Sequence, residues 1–313
     1  MTSTDGRDEI EENREEEAYL NALREIISAG SLKKNRTGIS TSSIFGKSLS
    51  YSLTNSKGEK ILPLLTTRKM AFTVIAKELL WFLSGSTDAK VLQDKGVKIW
   101  DGNSSRQALD KAGLAKLREG DIGAGYGFQW RHYGATYTGC DSEYTGLGVD
   151  QIKGVIDSIV KDPFSRRHLV SAWNPVQISE MALPPCHVVF QFNVDADDED
   201  INLPKYLDCC LYQRSGDMPL GIPFNIASYS LLTHMIAQQT GLTARRFIHM
   251  IGDSHIYMNQ IDGTLEQCKR TANKFPLLIM PYPAPADIFS YRHTDFKLEN
   301  YKSYPEIKYP MAV

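Results

Sequence analysis

A thiol, a carboxylate in apolar company, several loop arginines and an amide are the groups in this sequence that could act together on a ligand. The thiol is Cys186, in the run MALPPCHVVFQF (181–192). Pro184 and Pro185 remove two backbone donors and hold the chain stiff and extended as it reaches the cysteine. The β-branched and aromatic residues over 187–194 suit a half-buried strand. A thiol at such a loop-to-strand junction can be aimed into a cleft, and it is a nucleophile where nearby cations favour the thiolate. The same position also suits a cysteine packed as a small hydrophobe. The carboxylate is Glu78, inside KELLWFL (77–83). Burial there is costly for a charge and raises the pKa, as a general acid or base requires. By helical period alone, Glu78 fits a solvent-facing position equally well.

Arg36 lies in the loop KKNRTG (33–38), Arg166 and Arg167 follow a helix stop at Asp162-Pro163, and Arg214 stands beside Ser215 in QRSGD (213–217). Taken singly, such arginines are ordinary solvated residues. Together at loop and strand ends, with a serine hydroxyl, they suit a phosphate dianion. Asn225 has the donor and acceptor needed to read a pyrimidine edge. His255 and Tyr257, two apart on one face, suit a sugar hydroxyl, and Trp100 offers a flat surface to a second, aromatic ligand.

The elements that position these groups are readable in the periodicity. Apolar residues at 19, 20, 23, 26 and 27 predict a helix ending at Gly30; 72–83 reads as a buried helix and 152–160 as an amphipathic one. Leu49, Tyr51 and Leu53 alternate as a strand, with further strands expected at 187–194, 207–214 and 247–251. A long helix is expected over 226–239, ended by Gly241. Residues 100–103, 123–127 and 213–217 read as turns, and 195–205 as an acidic loop between antiparallel strands. Cys209 and Cys210, adjacent on a strand, point to opposite faces. With no repeat and no linker, the expectation is one domain over 14–313 behind a polar tail at 1–13.

Composition narrows the class. In 313 residues, 42% hydrophobic and 23% charged, there is ample material for a core, and the net charge of −2 excludes the basic excess of a dedicated nucleic-acid binder. The five cysteines form no CxxC pair and no zinc spacing. Reduced thiols point to a cytoplasmic protein, with nuclear or mitochondrial presence left open. No signal-peptide core or membrane-spanning run is present, so no membrane partner is expected.

Several long and compositionally unusual stretches go further: NRTG (35–38), ELLWFLSGST (78–87), GVKIWDGN (96–103), YGFQWRHYGA (126–135), SRRHLVSAWNP (165–175), MALPPCH (181–187), LYQRSGD (211–217), PFNIASY (223–229) and GDSHIY (252–257). They resemble the thymidylate synthase family across nearly the whole chain. The resemblance implies an α+β single domain, a mixed β-sheet packed against a long buried helix and further helices. It implies conversion of dUMP and 5,10-methylenetetrahydrofolate to dTMP and dihydrofolate, with the folate supplying both carbon and hydride, so that no metal, nicotinamide or flavin is needed. Cys186 would attack C6 of the uracil, with Glu78, Asn225, Tyr126 and Asp217 completing the catalytic set. Arg36, Gln213, Arg214, Ser215, Asn225, His187, His255 and Tyr257 would hold dUMP. Arg166 and Arg167 would reach in from the partner of a homodimer. Trp100, Asn103, Asp217, Leu220, Gly221, Phe224 and Ala312 would face the folate.

The chain departs from the family pattern at the proline-free turn GAGYG (123–127), at Ala71 near the folate tail, at Pro219 and in the length of the acidic loop. Two other enzyme readings compete. Cytosine-using relatives carry aspartate where Asn225 stands, and a Cys-His hydrolase would pair Cys186 with His255. A non-catalytic nucleotide- or RNA-binding role on the same scaffold is the remaining class; the sequence carries no legible sign of RNA binding.

Overall fold

In the computed structural model, which describes residues 13–311, the chain begins with helix α1 (Arg14–Ala29) and strands β1 (Ser31–Lys33) and β2 (Thr41–Ser52). Helices α2 (Phe72–Leu83), α3 (Lys90–Gln93), α4 (Asp101–Ser104), α5 (Arg106–Lys111), α6 (Tyr126–His132) and α7 (Gln151–Lys161) follow. Then come β3 (Leu169–Ser171), β4 (His187–Ala196), β5 (Pro204–Asp217), α8 (Gly221–Thr240), β6 (Thr243–Tyr257), α9 (Ile261–Cys268) and the small strands β7 (Leu277–Ile279) and β8 (Lys297–Glu299). The tail expected over 1–13 falls outside the described residues except for Asn13. That residue is part of the fold: its side chain accepts the Glu16 N–H at 3.1 Å and caps α1.

Six strands form one mixed sheet in the order β1-β2-β6-β5-β4-β3, antiparallel except for the β5–β6 pair. Parallel neighbours need a crossover, and α8 supplies it. This helix is buried at nearly every position from Ile222 to Ala237, so it is apolar all round and lies inside the molecule. Tyr229 anchors it, with its ring stacked on Phe247 of β6 at 6.0 Å and edge-on to Phe190 of β4 at 5.2 Å. The helix starts at Gly221 rather than 226 because Pro223 fits the first turn, where a missing N–H has no helical bond to lose. Gly241, at φ 72°, ends it as expected.

Three strands outrun their sequence expectation. β2 and β6 pair from Thr41–Tyr257 to Ser52–Arg246, which carries His255 and Tyr257 within the ladder. β5 continues through 213–217, the stretch expected to turn. Ladder pairing to β6 overrides the turn propensity of Ser215, Gly216 and Asp217. The sheet face away from α8 presents Leu169, Val189, Cys210, Tyr212, Ile248 and Met250 with no covering element among the described residues, and Leu169, Tyr212 and Met250 are exposed. Cys209 lies on the opposite face from Cys210, as expected, and is buried. No helix among the described residues is long and apolar enough to cross a membrane.

Gly252 is where β6 passes closest to Arg214 of β5. A Cβ at that position would lie 2.6 Å from the Arg214 carbonyl oxygen. Gly252→Ala should push the parallel pair apart and cost about 1–3 kcal/mol in urea unfolding. An unchanged midpoint would show that the strands can absorb the methyl group.

Candidate active site

The loop 184–186 is tied to β5 by one arginine. Arg214 donates its backbone N–H to the Cys186 carbonyl at 2.9 Å, Nε–H to Pro185 O at 2.8 Å and an Nη2–H to Pro184 O at 2.8 Å. From the other side, the Tyr126 hydroxyl accepts the Cys186 N–H at 2.7 Å. The prolines have no N–H to bond, so their carbonyls are the handles by which the loop is held. The thiol opens onto a cleft of about 690 Å³. Burial pushes its pKa up, while Arg214, the Tyr126 hydrogen bond and Arg36 pull it down, in that order. The sequence reading rested on cations favouring the thiolate; in the ligand-free chain burial outweighs them.

Glu78 projects from α2 into the same cleft, and its Oε1 accepts the Trp100 indole N–H at 2.8 Å. Burial raises its carboxyl to about 7, against the opposing Trp100 hydrogen bond. The solvent-facing alternative is thereby removed. Trp100 itself differs from expectation. It is 8% exposed and packs among Trp81, Phe82 and Tyr126 with ring centroids 5.9–6.2 Å apart, so its polar edge is committed to Glu78.

Asn225, on the first turns of α8, is 9% exposed and lines the cleft. Close to it is His187, packed between Tyr126 and Tyr229 at 5.0 and 5.3 Å. Burial lowers the His187 pKa to about 4, which keeps the ring neutral at physiological pH. Gln213 is buried too; it donates to Ser215 O at 3.0 Å, and its Oε1 meets His249 Nε2 at 2.9 Å. Tyr126, His187 and Gln213 are outside the cleft lining, and Tyr126 and Gln213 bond the backbone of Cys186 and Ser215, which are in it.

The cationic end of the cleft carries Arg36, Arg214 and Ser215. An Asn35 Asx turn holds Arg36 in place, the Asn35 side chain accepting the Thr37 N–H at 2.9 Å. His255 and Tyr257 line the wall beside it, with rings edge to face at 5.2 Å. His255 Nδ1 meets Asp253 Oδ1 at 3.0 Å, and Lys33 donates to Asp253 Oδ2 at 2.8 Å. His255 first, then Lys33, hold the Asp253 carboxyl down at about 2, against its burial. Among the described residues no hydrogen bond joins His255 to Cys186, so the Cys-His hydrolase arrangement is not built here.

The cleft is also lined by Asp217, Leu220, Gly221 and Phe224, with Ile99, Leu183 and Met311. Asp217 Oδ1 accepts the Leu220 N–H and Oδ2 accepts from Gln260 Nε2, both at 2.9 Å; burial raises its pKa. Asn103, on α4, does not reach the lining, and Ala312 lies outside the described residues. Arg166 and Arg167 are exposed at the start of β3, away from the cleft of their own chain. Sequence reasoning missed Lys33, Lys34, Asp253 and Gln260. The first two adjoin Arg36, and Asp253 sits two residues before His255, a spacing that faces one side of a strand. Away from the cleft, Asp88, Cys140 and Asp141 approach one another, but Arg118 spans both carboxylates at 2.7 and 2.6 Å.

A thiol, a carboxyl that titrates near neutrality, an amide and a cationic end, all on one cleft, define an enzyme of covalent group transfer to a phosphorylated ligand. Comparison with known proteins names the family. The thymidylate synthase family profile matches residues 17–313, and the chain belongs to that family. It is 47% identical to the thymidylate synthase of Candida albicans over 317 residues, covering 97% of this chain and 99% of that one. It is 47% identical to the Saccharomyces cerevisiae thymidylate synthase, covering 96% and 98%. Against the Zea mays bifunctional dihydrofolate reductase-thymidylate synthase it is 48% identical over 97% of its own length but spans only 56% of that protein. The enzyme is a methyltransferase that makes dTMP from dUMP with 5,10-methylenetetrahydrofolate as cosubstrate.

Glu78 gives a pH signature. Its folded pKa lies above the unfolded value, so the folded chain holds an extra proton between about 4.5 and 7, and stability falls as pH rises through that window. Glu78→Gln keeps an oxygen for the Trp100 N–H and removes the charge. The variant should gain stability over wild type progressively above pH 5, by up to about 3 kcal/mol at pH 8. A difference that does not change with pH would mean the carboxyl titrates normally.

Proposed function

We propose that Cys186 adds to C6 of the dUMP uracil, making C5 a nucleophile that bonds to the folate methylene carbon; the C5 proton is lost to a base, the bond from that carbon to the folate nitrogen breaks, and hydride from the same folate, which becomes dihydrofolate, completes the methyl group as Cys186 leaves. One observation carries this reading. Cys186 on its pinned loop, Glu78 on α2 and Asn225 on α8 all open into the cleft whose cationic end holds Arg36 and Arg214. The phosphate meets Arg36, Ser215 and the part of the Arg214 guanidinium not used on the proline carbonyls. The two arginine charges stabilise the thiolate as it forms, offsetting its burial. Asn225 accepts from uracil N3–H and donates to O4, while Glu78 exchanges protons near the same edge through water. His255 and Tyr257 take the sugar hydroxyl. The folate occupies the end built by Asp217, Leu220, Gly221 and Phe224, where apolar side chains suit its ring and Asp217 can meet a ring N–H. Its tail runs toward the neighbouring hollow of Arg68, Lys69, Ala71 and Lys308, which shares Leu220 and Phe224 with the cleft.

The active unit is a homodimer. The uncovered sheet face of Tyr212, Ile248 and Met250 matches a second copy of itself, as an isologous interface requires. Arg166 and Arg167 leave that same sheet at its β3 edge, so a copy seated on the face receives them.

Purified protein given dUMP and methylenetetrahydrofolate should release dTMP and dihydrofolate in equal amounts. Cys186→Ala and Arg166→Ala should each be nearly inactive. Under subunit exchange, an equal mixture should recover about a quarter of wild-type activity, since half the dimers are mixed and each has one site with both groups intact. Mixed dimers that stay dead would place Arg166 within its own subunit's site; an active Arg166→Ala protein would place it outside the chemistry.

A further inference from the structure

Gln260, 1% exposed just after β6, spends its whole amide on three walls of the molecule. Its Oε1 accepts the Tyr257 N–H at 3.2 Å; its Nε2 donates to Asp217 Oδ2 at 2.9 Å and to Pro310 O at 3.0 Å. The Tyr257 N–H admits only an oxygen, so it fixes which way round the amide stands and aims both hydrogens of the NH2 group. One hydrogen goes to a carboxylate whose other oxygen holds the Leu220 N–H at the start of α8. The other goes to the C-terminal segment, next to Met311 in the cleft. That segment is held earlier along its length by Tyr304 N–H to Thr66 O at 2.8 Å, Arg270 to Pro305 O at 2.9 Å and Tyr309 OH to Gln267 at 2.8 Å. Of these ties, Gln260 is the one nearest the cleft, and it alone joins the segment to a residue that lines it.

We propose that Gln260 is a positioning residue that couples the seating of the C-terminal segment to the setting of Asp217, and so holds the cosubstrate end of the cleft. This rests on the folate assignment made above; the Tyr257 backbone N–H is the one point at which Gln260 also touches the nucleotide wall. An amide suits the post because it gives two donors and carries no charge beside a carboxylate already disfavoured by burial.

The test is Gln260→Met, which keeps length and apolar packing, with Gln260→Glu, which keeps the acceptor but sets a second carboxylate against Asp217. Both are assayed for thermal stability, dUMP affinity alone, and KM and kcat for methylenetetrahydrofolate. Gln260→Met should weaken dUMP affinity by less than about a third of its effect on the folate KM, since its one tie to the nucleotide wall is to the Tyr257 backbone and not to the side chain that faces the sugar. It should raise the folate KM about tenfold, the worth of one buried hydrogen bond, with Gln260→Glu worse. Deleting residues from Pro310 onward should raise the folate KM too, and adding Gln260→Met to the deletion should cost less than about twofold more, because both cut the same link. Three results would overturn the proposal: losses that multiply, dUMP affinity and folate KM that decline together with stability, or an unchanged folate KM in either Gln260 variant. Failure of the folate assignment would show instead in the wild type, as absence of dTMP.

Discussion

The site depends on Arg214 holding the Pro184-Pro185-Cys186 loop against β5. A strand residue can lock a loop in this way only if the loop has acceptors to offer and no competing donors, and two successive prolines create that condition. The same guanidinium then stands beside the thiol it has positioned, so one side chain supplies both geometry and charge. The close approach of β6 at Gly252 keeps Arg214 in register with the sheet.

Burial and charge are set against each other throughout the cleft. Removal from water raises the Cys186 thiol and the Glu78 carboxyl and lowers the His187 ring. The result is a site whose free form is less charged than its residue types suggest. A nucleotide phosphate entering beside Arg36 and Arg214 partners those cations, while the carboxyl on α2 stays poised near neutrality for proton exchange.

Much of this was legible in the chain. Glycine at 241, the apolar run around Glu78 and the double proline before Cys186 each act locally, through backbone or burial physics that a single stretch carries. The illegible parts are long-range. Whether 213–217 turns or continues as strand is decided by β6, whose residues lie more than thirty positions away. Trp100 reads as an exposed ligand platform in isolation, yet the aromatic neighbours that bury it come from α2 and α6. Gln260 has no motif at all, and its role exists only once Tyr257, Asp217 and Pro310 meet around it. Arg166 and Arg167 were assigned through family resemblance, and the isolated chain leaves them outside its own cleft.

The central claim is that the reaction proceeds through a bond between Cys186 and the nucleotide. The most direct measurement is intact-protein mass spectrometry after rapid acid quench during turnover, followed by peptide mapping. With dUMP and methylenetetrahydrofolate together, a fraction of the chain should gain the mass of the nucleotide and the folate unit on the peptide containing Cys186, and neither ligand alone should leave that combined adduct. Steady dTMP formation by a Cys186→Ala chain, or an adduct mapped to any other residue, would contradict the account.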